Sequence, residues 1–398
     1  MLGPMRVPLL DLSEQYRSLA GPIRERLDEI FATQRFILGP NVERFEKAIA
    51  QFIGTPHAIG ISSGTDALLA VYMALGFGPD DAIITSPYSF FATAGCVART
   101  GALPLFVDID RATYNLSPER LAEFLKKECE KRGEATVYRR TGKTVRAIVP
   151  VHLFGLCCDM EPISALAAEY RLPLIEDAAQ AIGAEYPFGS EVKQAGTMSD
   201  YACFSFYPSK NLGAAGDAGL VTTNDDARAQ LVRSLRQHGM EPRYYHHLIG
   251  GNFRLDEIQA AVLDVKLPLL SGWSEARRAA ADFYTSELRK AGLTQDVVPP
   301  AEPYRDKVKS HHIYHQYVIR TERRDALAKH LEKREVGTAI YYPVGLHLQK
   351  AFDYLGHKRG DLPETERAAD ETLALPIFPE ISREAQSYVV EAIAQFFR

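Results

Sequence analysis

Lys210 closes the run Cys203-Phe-Ser-Phe-Tyr-Pro-Ser-Lys210, an apolar strand pattern that ends on a lysine and passes into Asn211-Leu-Gly-Ala-Ala-Gly-Asp-Ala-Gly219. A lysine relieved of water gives up its proton more readily and becomes a nucleophile able to form a Schiff base. Asp177 ends an earlier apolar stretch, Leu172-Pro-Leu-Ile-Glu-Asp177. A carboxylate beneath two covered sheet faces is costly unless it meets a cation or several donors, and a pyridinium nitrogen is such a cation. Ser62-Ser-Gly-Thr-Asp66 follows another strand and opens a helix, so small residues let backbone N–H groups approach a phosphate, with the Thr65 hydroxyl as a further donor. Lysine, aspartate and phosphate turn are the parts that hold pyridoxal 5′-phosphate. Each also has a plainer explanation: a helix cap for the turn and for Asp177, a solvated strand end for Lys210. Their arrival in one order, each at a strand end, is what the plainer explanations leave over. A dinucleotide site is disfavoured, because no Gly-x-Gly-x-x-Gly follows the first strand.

The elements that must position these residues are legible as alternating strands and helices from about residue 20 to 225. Strands are expected at Ala58–Ser62, Ala82–Ser86, Leu103–Ile109, Ala147–His152, Leu172–Glu176, Tyr201–Phe206 and Gly219–Thr223, with helices such as Asp66–Leu75 and Glu161–Tyr170 between them. Several strands lack polar alternation, as in an α/β sheet covered on both faces. The pattern predicts a mostly parallel seven-stranded sheet with ligands at the carboxyl ends of its strands. After Thr223 the texture turns helical, at Arg254–Leu263 and Ser274–Tyr284, and Pro268, Gly272 and Trp273 between them suggest a hinge region. A second, smaller α/β unit follows: strand Tyr314–Arg320, helix Arg324–Arg334, strand Gly337–Tyr342 and closing helix Arg383–Phe397. The expected division is 1–268 for the N-terminal segment and large domain, and 269–398 for the connecting helix and small domain.

Bulk properties narrow the class. The chain has 398 residues, 46% hydrophobic and 24% charged, with a formal net charge of −5. Mild acidity without a basic stripe argues against nucleic acid as a partner. The basic residues from Lys126 to Arg132 and on to Lys143 are interrupted by acids and read as a solvated helix end and loop. Five cysteines, Cys96, Cys129, Cys157, Cys158 and Cys203, contain no Cys-x-x-Cys pair, so neither a disulfide framework nor a zinc or other metal site follows. Met1 to Pro8 lacks the apolar core of a signal peptide, and no apolar run reaches membrane-spanning length. A cytoplasmic protein is expected.

Phe90 and Phe91 follow Ser86-Pro-Tyr-Ser89, where one aromatic can stack on a flat ring or simply pack a helix start. Taken with the lysine, aspartate and turn, these residues resemble the DegT/DnrJ/EryC1/StrS family of nucleotide-sugar aminotransferases, which share the fold-type-I aspartate aminotransferase architecture. The resemblance covers nearly the whole chain. It is carried by Phe36-Ile-Leu-Gly-Pro40, Ser63-Gly-Thr-Asp-Ala-Leu68, Glu176-Asp-Ala-Ala-Gln180, Ser205-Phe-Tyr-Pro-Ser-Lys-Asn-Leu-Gly213, Asn252-Phe-Arg-Leu-Asp-Glu-Ile-Gln-Ala-Ala261, Tyr342-Pro343 and Leu375-Pro376.

The resemblance implies that Lys210 forms the Schiff base, Asp177 pairs with the pyridine nitrogen and Gln180 approaches the phenolic oxygen. By the same match Gly64, Thr65 and Ser205 bind the phosphate, Phe90 stacks on the ring, and Asn252 reaches the phosphate of a neighbouring subunit, which implies a homodimer with shared sites. It further implies a nucleotide-sugar substrate, glutamate as amino donor and pyridoxamine 5′-phosphate as the alternate cofactor form. One branch of the family carries histidine at the lysine position and dehydrates instead; this chain keeps lysine. The branch that aminates 4-keto sugars often has a Thr-Thr-Gly-Glu-Gly-like run after its lysine, and Leu212 to Gly219 is closer to the 3-keto branch. A 4-keto-sugar enzyme and a PLP-binding regulatory protein without turnover remain as alternatives. Candidate substrate contacts are His152, Arg243 and Tyr244 within Arg243-Tyr-Tyr-His-His247, and Tyr342 and His347, with Tyr341 beside them; packed or interface positions are the competing explanations. The stretch from Cys129 to Lys143 is longer than the family usually shows and has no expected role.

Overall fold

The computed structural model describes residues 5–398; Met1 to Pro4, part of the stretch read as lacking a signal peptide, lie outside the described residues. Two helices, α1 (Ser13–Thr33) and α2 (Pro40–Ile53), precede the alternation β1 (His57–Ile61), α3 (Gly64–Ala74), β2 (Asp81–Thr85), α4 (Ala92–Arg99), β3 (Leu103–Phe106) and α5 (Pro118–Glu128). Next come β4 (Cys129–Arg132), β5 (Ala135–Tyr138), β6 (Thr144–Val149), α6 (Met160–Tyr170), β7 (Ile175–Asp177), β8 (Glu185–Phe188), β9 (Glu191–Gln194), β10 (Tyr201–Ser205) and β11 (Gly219–Thr223). The remainder is α7 (Asp226–Leu235), α8 (Glu257–Lys266), α9 (Leu270–Lys290), β12 (Tyr317–Arg320), α10 (Arg324–Lys333), α11 (Pro363–Glu371), β13 (Thr372–Leu375) and α12 (Arg383–Phe397).

Alternation along the strands sorts side chains onto two apolar faces, which explains their missing polar phase. Ile59, Ile61, Ile83, Ala147, Val149, Tyr201, Cys203 and Val221 pack with Leu68, Tyr72, Val97 and Val232 on one side. Ala58, Ala82, Ile84, Ile148, Ala202, Phe204 and Leu220 pack with Phe45, Ile49, Leu121 and Ile163 on the other. Pairing runs β1-β11-β10-β7 in one sheet and β3-β2-β6-β5-β4 in another. Parallel bridges Ile148–Leu174 and Val151–Asp177 join them at the end of β6. Thus β3, β2, β6, β7, β10 and β1 run one way and β11 the other.

Three expectations are corrected. The charged run does end a helix, with Lys126 and Lys127 exposed in the last turn of α5, but from Cys129 on it forms strands and not a loop. Cys129 pairs with Tyr138 and Arg132 with Ala135 in a hairpin that occupies the first half of the β6 edge. Its mixed charges sit on the outermost strand, where they discourage further pairing. Gly337–Tyr342 is not a strand and, among the described residues, makes the single bridge Ala339–Ala374, while β13 is the partner of β12. The hinge expected at Pro268, Gly272 and Trp273 is a single 3₁₀ turn, Leu267–Leu269, after which α9 already includes Gly272 and Trp273. Proline fits the first turn of such a helix because its missing N–H has no partner there.

A separate core gathers Leu288, Tyr317, Ile319, Leu327, Leu373, Leu375, Val389 and Ile393, and Val7 joins it. Val7 donates to Glu335 O at 3.0 Å and accepts from Gly337 N at 2.8 Å, so the segment from residue 5 packs on the C-terminal unit. Among the described residues no helix is long and apolar enough to cross a membrane.

Candidate active site

The carboxyl ends of β1, β7 and β10 converge. Ser63 caps α3 by accepting the Asp66 amide at 3.0 Å, and the Ser62 hydroxyl donates to Asp66 at 2.7 Å. The first N–H groups of α3, at Gly64 and Thr65, have no partner within the helix and stand at its positive end. Their backbone is reached closely from behind. A Cβ on Gly64 would lie 2.6 Å from the Ser205 Cβ, and one on Gly219 would lie 2.4 Å from the Ser63 carbonyl. The glycines therefore bring Gly64, Thr65 and Ser205, the expected phosphate residues, to one place.

Asp177 is 5% exposed. Its Oδ2 accepts the Thr93 hydroxyl at 2.8 Å and its Oδ1 accepts the Ala179 amide at 3.2 Å. Burial raises its pKa, while those two donors and the charge of Lys210 pull it down. Lys210 is half-buried, and its Nζ has no hydrogen-bond or ion-pair partner among the described residues. Loss of hydration brings its pKa down to about 8, opposed by Asp177. The next residue, Asn211, donates to Ile313 O at 3.0 Å and meets His315 Nδ1 at 3.2 Å. Because the Asn211 oxygen can only accept, Nδ1 carries the imidazole proton. Burial and the Lys210 charge hold His315 well below its usual pKa.

Gln180 accepts from Phe154 N at 2.7 Å and donates to the Tyr342 hydroxyl at 3.1 Å. The Tyr342 ring lies 6.4 Å from Phe90, which is 59% exposed and free to face a flat ligand. Phe91 instead stacks on Phe352 at 5.3 Å. Tyr88, 1% exposed, ties the loop after β2 to the C-terminal unit: its hydroxyl lies 2.8 Å from Tyr341 O and 2.7 Å from the Thr372 hydroxyl, and accepts from Tyr342 N at 3.1 Å.

The other candidates have their polar atoms committed elsewhere or lie on exposed segments, although His152 adjoins the site by donating its backbone N–H to Asp177 O at 3.0 Å. His152 is fully buried; its Nδ1 accepts the Cys158 amide at 3.0 Å, which leaves the proton on Nε2, 2.8 Å from Glu176. Both nitrogens are committed, so the packed strand-end explanation describes it. His347 is 2% exposed with Nε2 at 3.1 Å from Glu366, and burial lowers its pKa. Arg243 covers the Tyr244 ring at 4.8 Å in an exposed loop, and Asn252 is exposed, its side chain without a hydrogen-bond partner among the described residues. Sequence reasoning missed Thr93, Tyr88, Asn211 and His315. The signals were thin: Thr93 lies one helical turn after Phe90, but the partner of Asn211 is 102 residues away.

A positive helix end behind two close-packed glycines, a buried carboxylate with spare lone pairs and an unpaired, partly dehydrated lysine fit phosphate, ring nitrogen and aldehyde of pyridoxal phosphate in turn. Fold and site define a PLP-dependent aminotransferase. The DegT/DnrJ/EryC1/StrS aminotransferase family profile matches residues 18–394, and the chain belongs to that family. It is 48% identical to a protein of Geobacillus stearothermophilus named pleiotropic regulatory protein, over 99% of each chain. Over 97% of each chain it is 38% identical to a UDP-N-acetyl-3-dehydro-α-D-glucosamine 3-aminotransferase of Acidithiobacillus ferrooxidans. The crystal structure of S. venezuelae DesV in complex with a ketimine intermediate covers 98% of both chains at 36% identity, with a TM-score of 0.88.

Proposed function

We propose that this protein transfers an amino group to a nucleotide-linked 3-keto-hexose, with glutamate as donor, yielding an amino sugar for glycan or glycosylated-metabolite synthesis. The observation that carries this reading is Lys210, unpaired and lowered to about pKa 8 beside Asp177. The 3-keto preference is supported by the run Leu212 to Gly219 and by the name of the 38% identical relative.

In this reading Gly64, Thr65 and Ser205 hold the phosphate, Asp177 the ring nitrogen, Gln180 the phenolic oxygen, and Phe90 lies against the ring. When bound, PLP supplies the electron sink for the carbon that carries the amino group. Lys210 would hold it through Nζ, and the same nitrogen would be the group placed to carry the proton that leaves the donor carbon. His315 stays neutral there, so it adds no competing charge beside that nitrogen. Asn252, Arg243 and Tyr244 are assigned to the partner's site in a homodimer, while Tyr342 frames the substrate side. Five free, buried cysteines support a cytoplasmic setting.

The test is spectroscopic. Purified protein should take up PLP with a yellow absorbance, and glutamate should bleach it; the pyridoxamine form is then offered UDP- and dTDP-linked keto-sugars and the product identified by NMR. Absence of PLP uptake, or of any amino sugar across the panel, sinks the reading. The name of the 48% identical relative favours one second reading, a regulatory role. Tight binding of a keto-sugar without conversion would favour it.

A further inference from the structure

We propose that Ser89 and Thr93 form a two-hydroxyl relay that keeps Asp177 charged and aims its unused lone pairs into the cleft. The relay makes both hydroxyls positioning residues for the cofactor, and it rests on the PLP reading above. Ser89 is 3% and Thr93 1% exposed, so water cannot substitute for either. The Thr93 oxygen lies 2.8 Å from Asp177 Oδ2, 2.8 Å from the Ser89 oxygen and 3.3 Å from Phe90 O.

Proton counting fixes the direction. An ionised carboxylate has only lone pairs, so the single Thr93 proton must point at Oδ2; aimed at Phe90 O, it would leave two oxygens facing each other without a hydrogen. Ser89 is then the donor to Thr93. Hydrogen bonds in series polarise one another, and donation to a charged acceptor is the stronger kind. Among the described residues, the Ala179 amide is the other hydrogen-bond donor to the carboxylate.

The titratable groups around Asp177 do not replace the relay. Lys210 favours its ionised form through charge but makes no hydrogen bond to it among the described residues. Tyr72, Cys96, Cys203 and Tyr342 are all pushed up by burial and stay neutral at physiological pH. Ser89 also precedes Phe90, so the relay joins the ring-facing segment to the carboxylate beneath it.

The experiment compares PLP titrations and absorbance spectra across pH for wild type, Thr93→Val, Thr93→Ser, Ser89→Ala and the Ser89→Ala/Thr93→Val double variant. Valine keeps the volume and removes the hydroxyl. It should weaken PLP binding by about tenfold or more and move the pH midpoint of the bound-cofactor absorbance, whereas serine should restore both. Ser89→Ala should shift both in the same direction by less, and the double variant should match Thr93→Val. Wild-type affinity and spectrum in Thr93→Val, or Thr93→Ser behaving like valine, would overturn the relay; additive losses in the double variant would overturn the series order. Should Thr93→Val fail to fold, Ser89→Ala and Thr93→Ser decide it by the same readouts. A wild type that binds no PLP would instead defeat the functional reading.

Discussion

Lys210 and Asp177 set each other's protonation. Burial strips hydration from both; the Asp177 charge opposes that loss at Lys210, and the Thr93 and Ala179 hydrogen bonds and then the Lys210 charge oppose it at Asp177. Free amine is the form that attacks an aldehyde, so capture of PLP by the apoprotein should accelerate as pH rises and level off above about 8, not near 10.5. Stopped-flow absorbance across pH 6 to 10, a range spanning roughly two units either side of that midpoint, checks it. Stability follows with a definite sign. Between about 8 and 10.5 the unfolded chain holds a lysine proton that the folded site has shed. The contribution of Lys210 to apoprotein stability should therefore rise with pH through that window, and Lys210→Met should flatten that component of the pH profile. Lys210→Ala should lose at least about a hundredfold in kcat while keeping its circular dichroism, since it removes both the nucleophile and the proton carrier. Full turnover in that variant would defeat the mechanism.

Elements, more than residues, decide which of these groups meet. The phosphate end depends on backbone proximity across Gly64 and Gly219, so Gly219→Ala must push the Ser63 carbonyl from a 2.4 Å contact. It should cost about 1–3 kcal/mol and show as weaker PLP binding with Lys210 chemistry intact, measured by titration. Glu257 of α8 joins two sequence motifs in the same manner. It accepts from Gly39 N at 2.9 Å and from the Asn41 side chain at 2.8 Å, and so caps the start of α2. What the sequence made legible were contacts that recur at strand ends: Lys210, Asp177, the Ser62–Asp66 turn and the apolar strands themselves. Thr93 and Tyr88 were hidden because each acts through a hydroxyl whose partner comes from another element, and hydroxyls have no periodic signature. The hairpin of β4 and β5 was hidden for a different reason. Its charges read as a loop, yet they belong to an edge strand, where charge is the expected protection. Gly337–Tyr342 had a strand's composition but, among the described residues, makes one bridge, Ala339–Ala374, on the edge of β13 opposite β12.

At the scale of the whole molecule, the proposed homodimer would complete each cofactor site with residues of the partner chain. Among the described residues the exposed Asn252 side chain has no hydrogen-bond partner, and the neighbouring loop displays Tyr244 at 72%, Tyr245 at 65% and Ile249 at 90% exposure. Exposed aromatic and aliphatic residues clustered in one loop are the composition of an interface core. A two-fold dimer would place the same loop over each partner, and each site would then take Lys210 from one chain and Asn252 from the other. That arrangement makes a quantitative prediction about mixtures. Lys210→Ala and Asn252→Ala homodimers should both be impaired at both sites. In a mixed dimer one site inherits both lesions, while the other has wild-type Lys210 and wild-type Asn252. Dimers isolated with two affinity tags should therefore regain about half the wild-type activity, since one of two independent sites is intact. If Asn252 served its own chain's site instead, each mixed dimer would carry one lesion per site and no intact site would form. Activity in the mixture that stays at the average of the two parents would rule out the shared site.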